Sequence, residues 1–120
     1  MQTHLIDIKK HQAKILQLIF QYFSPDDILV FLFGSYARGE AHSKSDLDIG
    51  VLSKNLEGKK FLTLQKVLDE EIPILRKMDL VDFSTVSLQV KKEAIPEIEL
   101  WHQGKNCSEL LKDLKQVSLS

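Results

Sequence analysis

Residues 28–52 read ILVFLFGSYARGEAHSKSDLDIGVL and hold two patterns that rarely stand so close together. The first six residues, ILVFLF, are wholly apolar, as in a strand buried on both faces. The last seven, DLDIGVL with its leading Asp46, alternate strictly. Leu47, Ile49 and Val51 fall on one face, and Asp46, Asp48 and Gly50 fall on the other. Between the two runs come Gly34, Ser35 and a polar segment through Gly39, room for a turn or two of helix. Two carboxylates on one strand face lie roughly 6.5–7 Å apart along the chain. They repel one another unless a cation is shared between them.

The rest of the chain is ordinary by comparison. Its 120 residues suit a single domain, 1–120, with 43% hydrophobic and 28% charged residues. A formal net charge of −1 gives no general attraction to nucleic acid or anionic lipid, so no direct nucleic-acid binding is expected. The one cysteine, Cys107, has no internal disulfide partner, and the N-terminal MQTHLIDIKKHQAK is polar throughout. No apolar run is long enough to cross a membrane. These features predict a cytoplasmic protein.

Periodicity supplies the other elements. Residues 8–23 carry Ile8, Ile15, Leu16, Ile19, Tyr22 and Phe23 on one helical stripe, and Ser24-Pro25-Asp26-Asp27 turns the chain. KKFLTLQKVLDEE has helical spacing, and KMDLVDFSTV reads as a third strand. Residues 87–103 are read as a further helix, with Ser87 as cap and Pro96 as a kink, and Trp101 on it. After Gly104 a short edge strand and a helix through Leu110, Leu111 and Leu114 are expected. The predicted class is α+β, a mixed sheet flanked by helices.

Three features converge on phosphate chemistry. A Gly-Ser pair after a buried strand lets backbone approach a ligand, and the first amides of a following turn suit an anion. Ser35 adds a hydroxyl donor. Asp46 and Asp48 suit a hard divalent ion such as Mg²⁺, which takes oxygen ligands and leaves positions for water or substrate phosphate. A third aspartate lies in a later strand, where Asp is disfavoured without a reason. Asp79 and Asp82 occupy opposite faces of that strand, so only one of them can join the other two. The remaining candidates are weaker. His4, His11, His42 and His102 show no metal-ligand spacing and read as surface residues. Cys107 has no base partner and is not expected to be a nucleophile.

The stretch GSYARGEAHSKSDLDIGVL resembles the signature of the DNA polymerase β-like nucleotidyltransferase superfamily. With the lead-in FLFGSYARG and the short length, it is most similar to the minimal nucleotidyltransferase (MNT) branch. The specific resemblance runs from about residue 30 to residue 83. It implies a polymerase β palm-like core in which Gly34 and Ser35 contact the nucleotide triphosphate. Arg38, on the same short turn, would reach the leaving phosphates, and Ser45 beside Asp46 would join the nucleotide contacts. Asp46 and Asp48 would bind two Mg²⁺ ions. Asp79 would be the third carboxylate, since MDLV matches the family's strand, and it would help deprotonate the attacking hydroxyl. ATP is the implied donor of AMP. The resemblance also implies an antitoxin paired with a HEPN-domain toxin, silenced by transfer of AMP to a tyrosine hydroxyl. Transfer to a small molecule or RNA, or neutralisation by contact alone, are the other readings.

Overall fold

A computed structural model of the chain describes residues 3–34, 37–39, 46–54, 56–72 and 77–119, with side chains described from residue 9 to residue 117. Four strands form one mixed sheet: β1 (Ile28–Phe33), β2 (Leu47–Ser53), β3 (Met78–Asp82) and β4 (Glu99–Gln103), in the order β3-β2-β1-β4. β1 pairs antiparallel with β2 and with β4, whereas β2 and β3 run parallel. The parallel pair needs a crossover, and α2 (Gly58–Glu71) provides it.

The absence of alternation in ILVFLF has a direct structural cause. Ile28, Val30 and Leu32 face a layer made by α1 (Thr3–Ile19) and α2, while Leu29 and Phe31 face the opposite layer. Ile15, Leu18 and Ile19 of α1 and Leu64 and Leu68 of α2 close the first layer over Leu47, Ile49 and Val51 of β2. On the second face, Ala94 of α3 (Leu88–Ala94) and Leu114 of α4 (Ser108–Leu119) pack with Leu52, Phe83 and Cys107. Residues such as Phe31, Ile15 and Leu64 are fully buried, each contributing about 1.5–3 kcal/mol from apolar surface removed from water. β2 is wholly apolar on the first face, while its second face carries Asp48 at one end and buried Leu52 at the other.

Several expectations need correction. The first helix ends at Ile19, and residues 20–23 tighten into a turn in which Tyr22 N–H donates to Ile19 O at 3.0 Å. Tyr22 and Phe23 still pack on the core from that turn. The helix expected across residues 87–103 stops much earlier. Ser87 does cap it, its hydroxyl accepting from Val90 N–H at 3.2 Å, but α3 ends at Ala94 and gives way to a 3₁₀ turn, Ile95–Glu97. Pro96 cannot donate the next helical hydrogen bond. The following ELWHQ, Glu99–Gln103, then pairs with the open edge of β1, with a bulge opposite Val30 and Phe31. The edge strand thus precedes Gly104 rather than following it. Trp101 lies on β4, half-buried against the α1/α2 core, with its indole N–H donating to Glu99 Oε2 at 2.9 Å. His102 is not a simple surface residue. Its Nε2 is 2.6 Å from Pro25 O and its ring meets Phe20 edge-on at 4.6 Å.

Candidate active site

The end of the sheet where β1 finishes and β2 and β3 begin gathers the acidic residues singled out above. Registers place them: Phe33 lies across from Asp48, and Asp48 lies across from Asp79. Strands are about 4.8 Å apart, so neighbours in register on one face are in reach of each other's fields. Asp46 immediately precedes β2 and is exposed; Asp48 and Asp79 are partly buried.

Gly34 follows β1 directly and adopts φ +77°, a conformation that L side chains rarely take. A Cβ built there would lie 2.5 Å from Oδ2 of Asp48. Glycine is required at this point for two reasons, backbone conformation and space. Arg38 N–H donates to Gly34 O at 3.2 Å, closing a single turn. The Gly34 backbone and the Asp48 carboxylate are therefore in contact, so the two halves of the sequence motif meet in space.

Asp48 is the carboxylate most disturbed by its surroundings. The Asp48 pKa is pushed up to about 6, first by burial and then by the negative charges of Asp79 and Asp46. Arg38 and Lys77 act in the opposite direction. Lys77 Nζ sits 3.5 Å from Asp79 Oδ1, although both side chains remain accessible. Lys77 attracted no attention in the sequence, yet its position two residues before Asp79 puts both on the same strand face. Among the described residues, no three acidic, histidine or cysteine side chains already form a closed cation cage. The donor set nonetheless fits a hard divalent cation. It is all carboxylate oxygen, it is partly withdrawn from water at Asp48 and Asp79, and the charges of Asp79 and Asp46 raise the affinity of Asp48 for positive charge.

Asp82, the alternative to Asp79, has another task. Its Oδ1 accepts from Ser84 N–H at 3.0 Å and from Ser84 Oγ at 2.6 Å, which shapes the turn leaving β3. Ser35, Ser45 and His42 lie outside the described residues. Cys107 is fully buried, and burial pushes its thiol pKa up, the opposite of an activated nucleophile.

The face bearing Asp48 has an aromatic floor that sequence reading missed. Phe31, Phe33 and Phe83 form a cluster with ring centroids 4.9–6.1 Å apart. Gly50 makes room for it, because any Cβ there would collide with the Phe31 ring on the neighbouring strand. The only signal in the sequence is a glycine inside a strand, which marks close approach.

The chain has counterparts among known proteins. The family model described as polymerase beta, nucleotidyltransferase matches residues 13–106. A Haemophilus influenzae relative described as "Probable protein adenylyltransferase MntA" is 33% identical over 84 residues, 68% of this chain and 71% of that protein. A solved toxin–antitoxin structure with AMP-PNP superposes with a TM-score of 0.70 at 25% identity, covering 90% of this chain and 86% of that one. A tri-AMPylated Shewanella oneidensis HEPN toxin in complex with MNT antitoxin gives a TM-score of 0.66 at 24% identity, covering 92% and 84%.

Proposed function

The chain belongs to the polymerase β nucleotidyltransferase family, and from that premise we propose that it transfers AMP from ATP to a tyrosine hydroxyl of a HEPN-domain toxin, acting as the antitoxin. One observation carries the site: Asp48 lies between Gly34 and Asp79, with its pKa raised first by burial and then by the charges of Asp79 and Asp46. Similar structures support the partner, since one is a toxin–antitoxin assembly with AMP-PNP and another holds a tri-AMPylated HEPN toxin with its MNT antitoxin. None of the described helices is long and apolar enough to cross a membrane.

In this reading Gly34 and Ser35 hold the triphosphate, its backbone approach allowed by the missing side chain at residue 34. Arg38 and Ser45 complete the nucleotide contacts. Asp46, Asp48 and Asp79 would hold Mg²⁺, which when bound neutralises phosphate charge and polarises the α-phosphate. The acceptor oxygen forms a bond to the α-phosphorus, the bond from that phosphorus to the bridging oxygen breaks, and pyrophosphate leaves. Asp79 takes the hydroxyl proton, and its side chain, 35% exposed, can release it to water.

Incubation with labelled ATP, Mg²⁺ and the HEPN-domain protein encoded beside it should label that protein on tyrosine. Labelling of RNA or of a small hydroxylated acceptor instead would move the acceptor class. Toxin inhibition without any transfer, undiminished in an Asp46→Asn/Asp48→Asn variant, would replace the enzyme by a contact inhibitor.

A further inference from the structure

β3 is the outermost strand on its side of the sheet, so one row of its backbone groups faces away from β2. Leu47 N–H donates to Lys77 O at 2.8 Å, and Phe83 N–H donates to Val51 O at 2.9 Å. Alternation then turns the backbone of Met78 and Leu80 outward. Two of these outward groups are taken by one side chain. Gln65 Nε2 donates to Met78 O at 2.8 Å, and Gln65 Oε1 accepts from Leu80 N–H at 2.7 Å.

The pattern is that of a fifth parallel strand. In a parallel ladder, a residue bonds the carbonyl before and the amide after the residue it faces. A primary amide carries one donor end and one acceptor end, as a peptide group does. The Gln65 amide therefore stands where the next strand would face Asp79. β2 holds that point of β3 from one side, and α2 holds it from the other. Asp69 Oδ1 accepts the second Nε2 hydrogen at 3.1 Å, which fixes the orientation of the amide.

We infer that Gln65 is a positioning residue, fixing the backbone that aims Asp79 at the space shared with Asp48. This rests on the reading of Asp79 as a member of the catalytic set. The rival role is edge protection alone, in which Gln65 blocks a row of unpaired backbone groups and adds only stability. The two roles predict different measurements. Gln65→Met keeps length and helix compatibility and removes both hydrogen bonds.

The test uses the full chain and Mg²⁺ alone, with binding followed through the amide resonances of Asp48 and Asp79. In the metal-free protein, Leu80 amide exchange should accelerate in Gln65→Met, and Mg²⁺ affinity should fall about tenfold. In an Asp79→Asn background the same substitution should cause no further loss of affinity, although it lowers thermal stability equally in both backgrounds. Unchanged Mg²⁺ affinity in folded Gln65→Met, or an equal loss in both backgrounds, overturns the inference. If Gln65→Met does not fold, Gln65→Glu replaces it, keeping the acceptor for Leu80 N–H and losing the donor to Met78 O. Affinity within twofold of the parent in that variant overturns the inference as well. Mg²⁺ affinity untouched by Asp79→Asn alone removes the reading of Asp79, and the role of Gln65 with it.

Discussion

The two ends of the sheet use the same residue type in opposite ways. Where β1 begins and β3 ends, aspartates are matched with donors. Asp82 accepts from Ser84, Asp27 Oδ1 accepts from Asn106 Nδ2 at 2.8 Å, and Asp26 Oδ2 lies 3.5 Å from Lys105 Nζ. These groups close turns and favour the folded state. Where β1 ends and β2 and β3 begin, Asp48 lies beside Asp79 and close behind Asp46, and burial together with their charges raises its pKa. That arrangement opposes folding in its ionised form, yet it is the one suited to phosphoryl chemistry. In the proposed reading, stability and activity are drawn from different ends of the same strands.

The comparison would break first if the acidic end could be dismantled without loss of transfer. Asp46→Asn with Asp48→Asn should lower labelled-AMP transfer by about 10³-fold with the fold retained by circular dichroism. Next comes Gly34→Ala, which forces a side chain into a positive-φ position against Asp48. Transfer should drop about 10²-fold, with about 1 kcal/mol of stability lost in urea titration.

The third effect is on stability and its dependence on pH. Between the ordinary carboxyl value of 3.8 and about 6, the folded protein keeps a proton on Asp48 that the unfolded chain has released. The contribution of Asp48 to stability therefore falls as pH rises through that window and stays low above it. Asp48→Asn should remove this slope. At pH 7 it should be more stable than the parent by ~1–2 kcal/mol, the shift being discounted for a carboxylate that water still screens. A less stable Asn variant at pH 7 would contradict the strain at this end.

Smaller effects test the other end. Asp82→Ala should cost about 1 kcal/mol in urea titration and leave transfer within about twofold, because it loosens a turn remote from the carboxylate cluster. Lys105→Ala should change stability by no more than about 0.5 kcal/mol, since its ion pair with Asp26 is exposed. A large loss of transfer in either variant would erase the division between the two ends.

Much of the acidic end was legible because it is encoded locally. Gly34, Asp46 and Asp48 sit within fifteen residues, and strict alternation in DLDIGVL assigns their face. The third strand was readable too, but the choice between Asp79 and Asp82 came from residue pattern in a family resemblance. The β2–β3 register, with Asp79 beside Asp48, supplies an independent geometric reason. β4 was missed because EIELWHQ follows directly on helical spacing. Its alternation was visible, but its strand state depends on an open edge of β1, about seventy residues earlier. Local propensity yields to such pairing.

The sequence by itself determined the doubly buried strand, the one-sided second strand, the glycine between them and the aspartate pair. Each follows from side-chain periodicity or backbone conformational freedom, which act over a few residues. Tertiary structure decided what those residues meet. Only folding brings Asp79 next to Asp48, sets Lys77 against Asp79, seats the Phe31 ring over Gly50 and lets Gln65 of α2 complete the edge of β3. These are contacts between segments distant in the chain, fixed by sheet register and by helix packing, and no short window of sequence contains them.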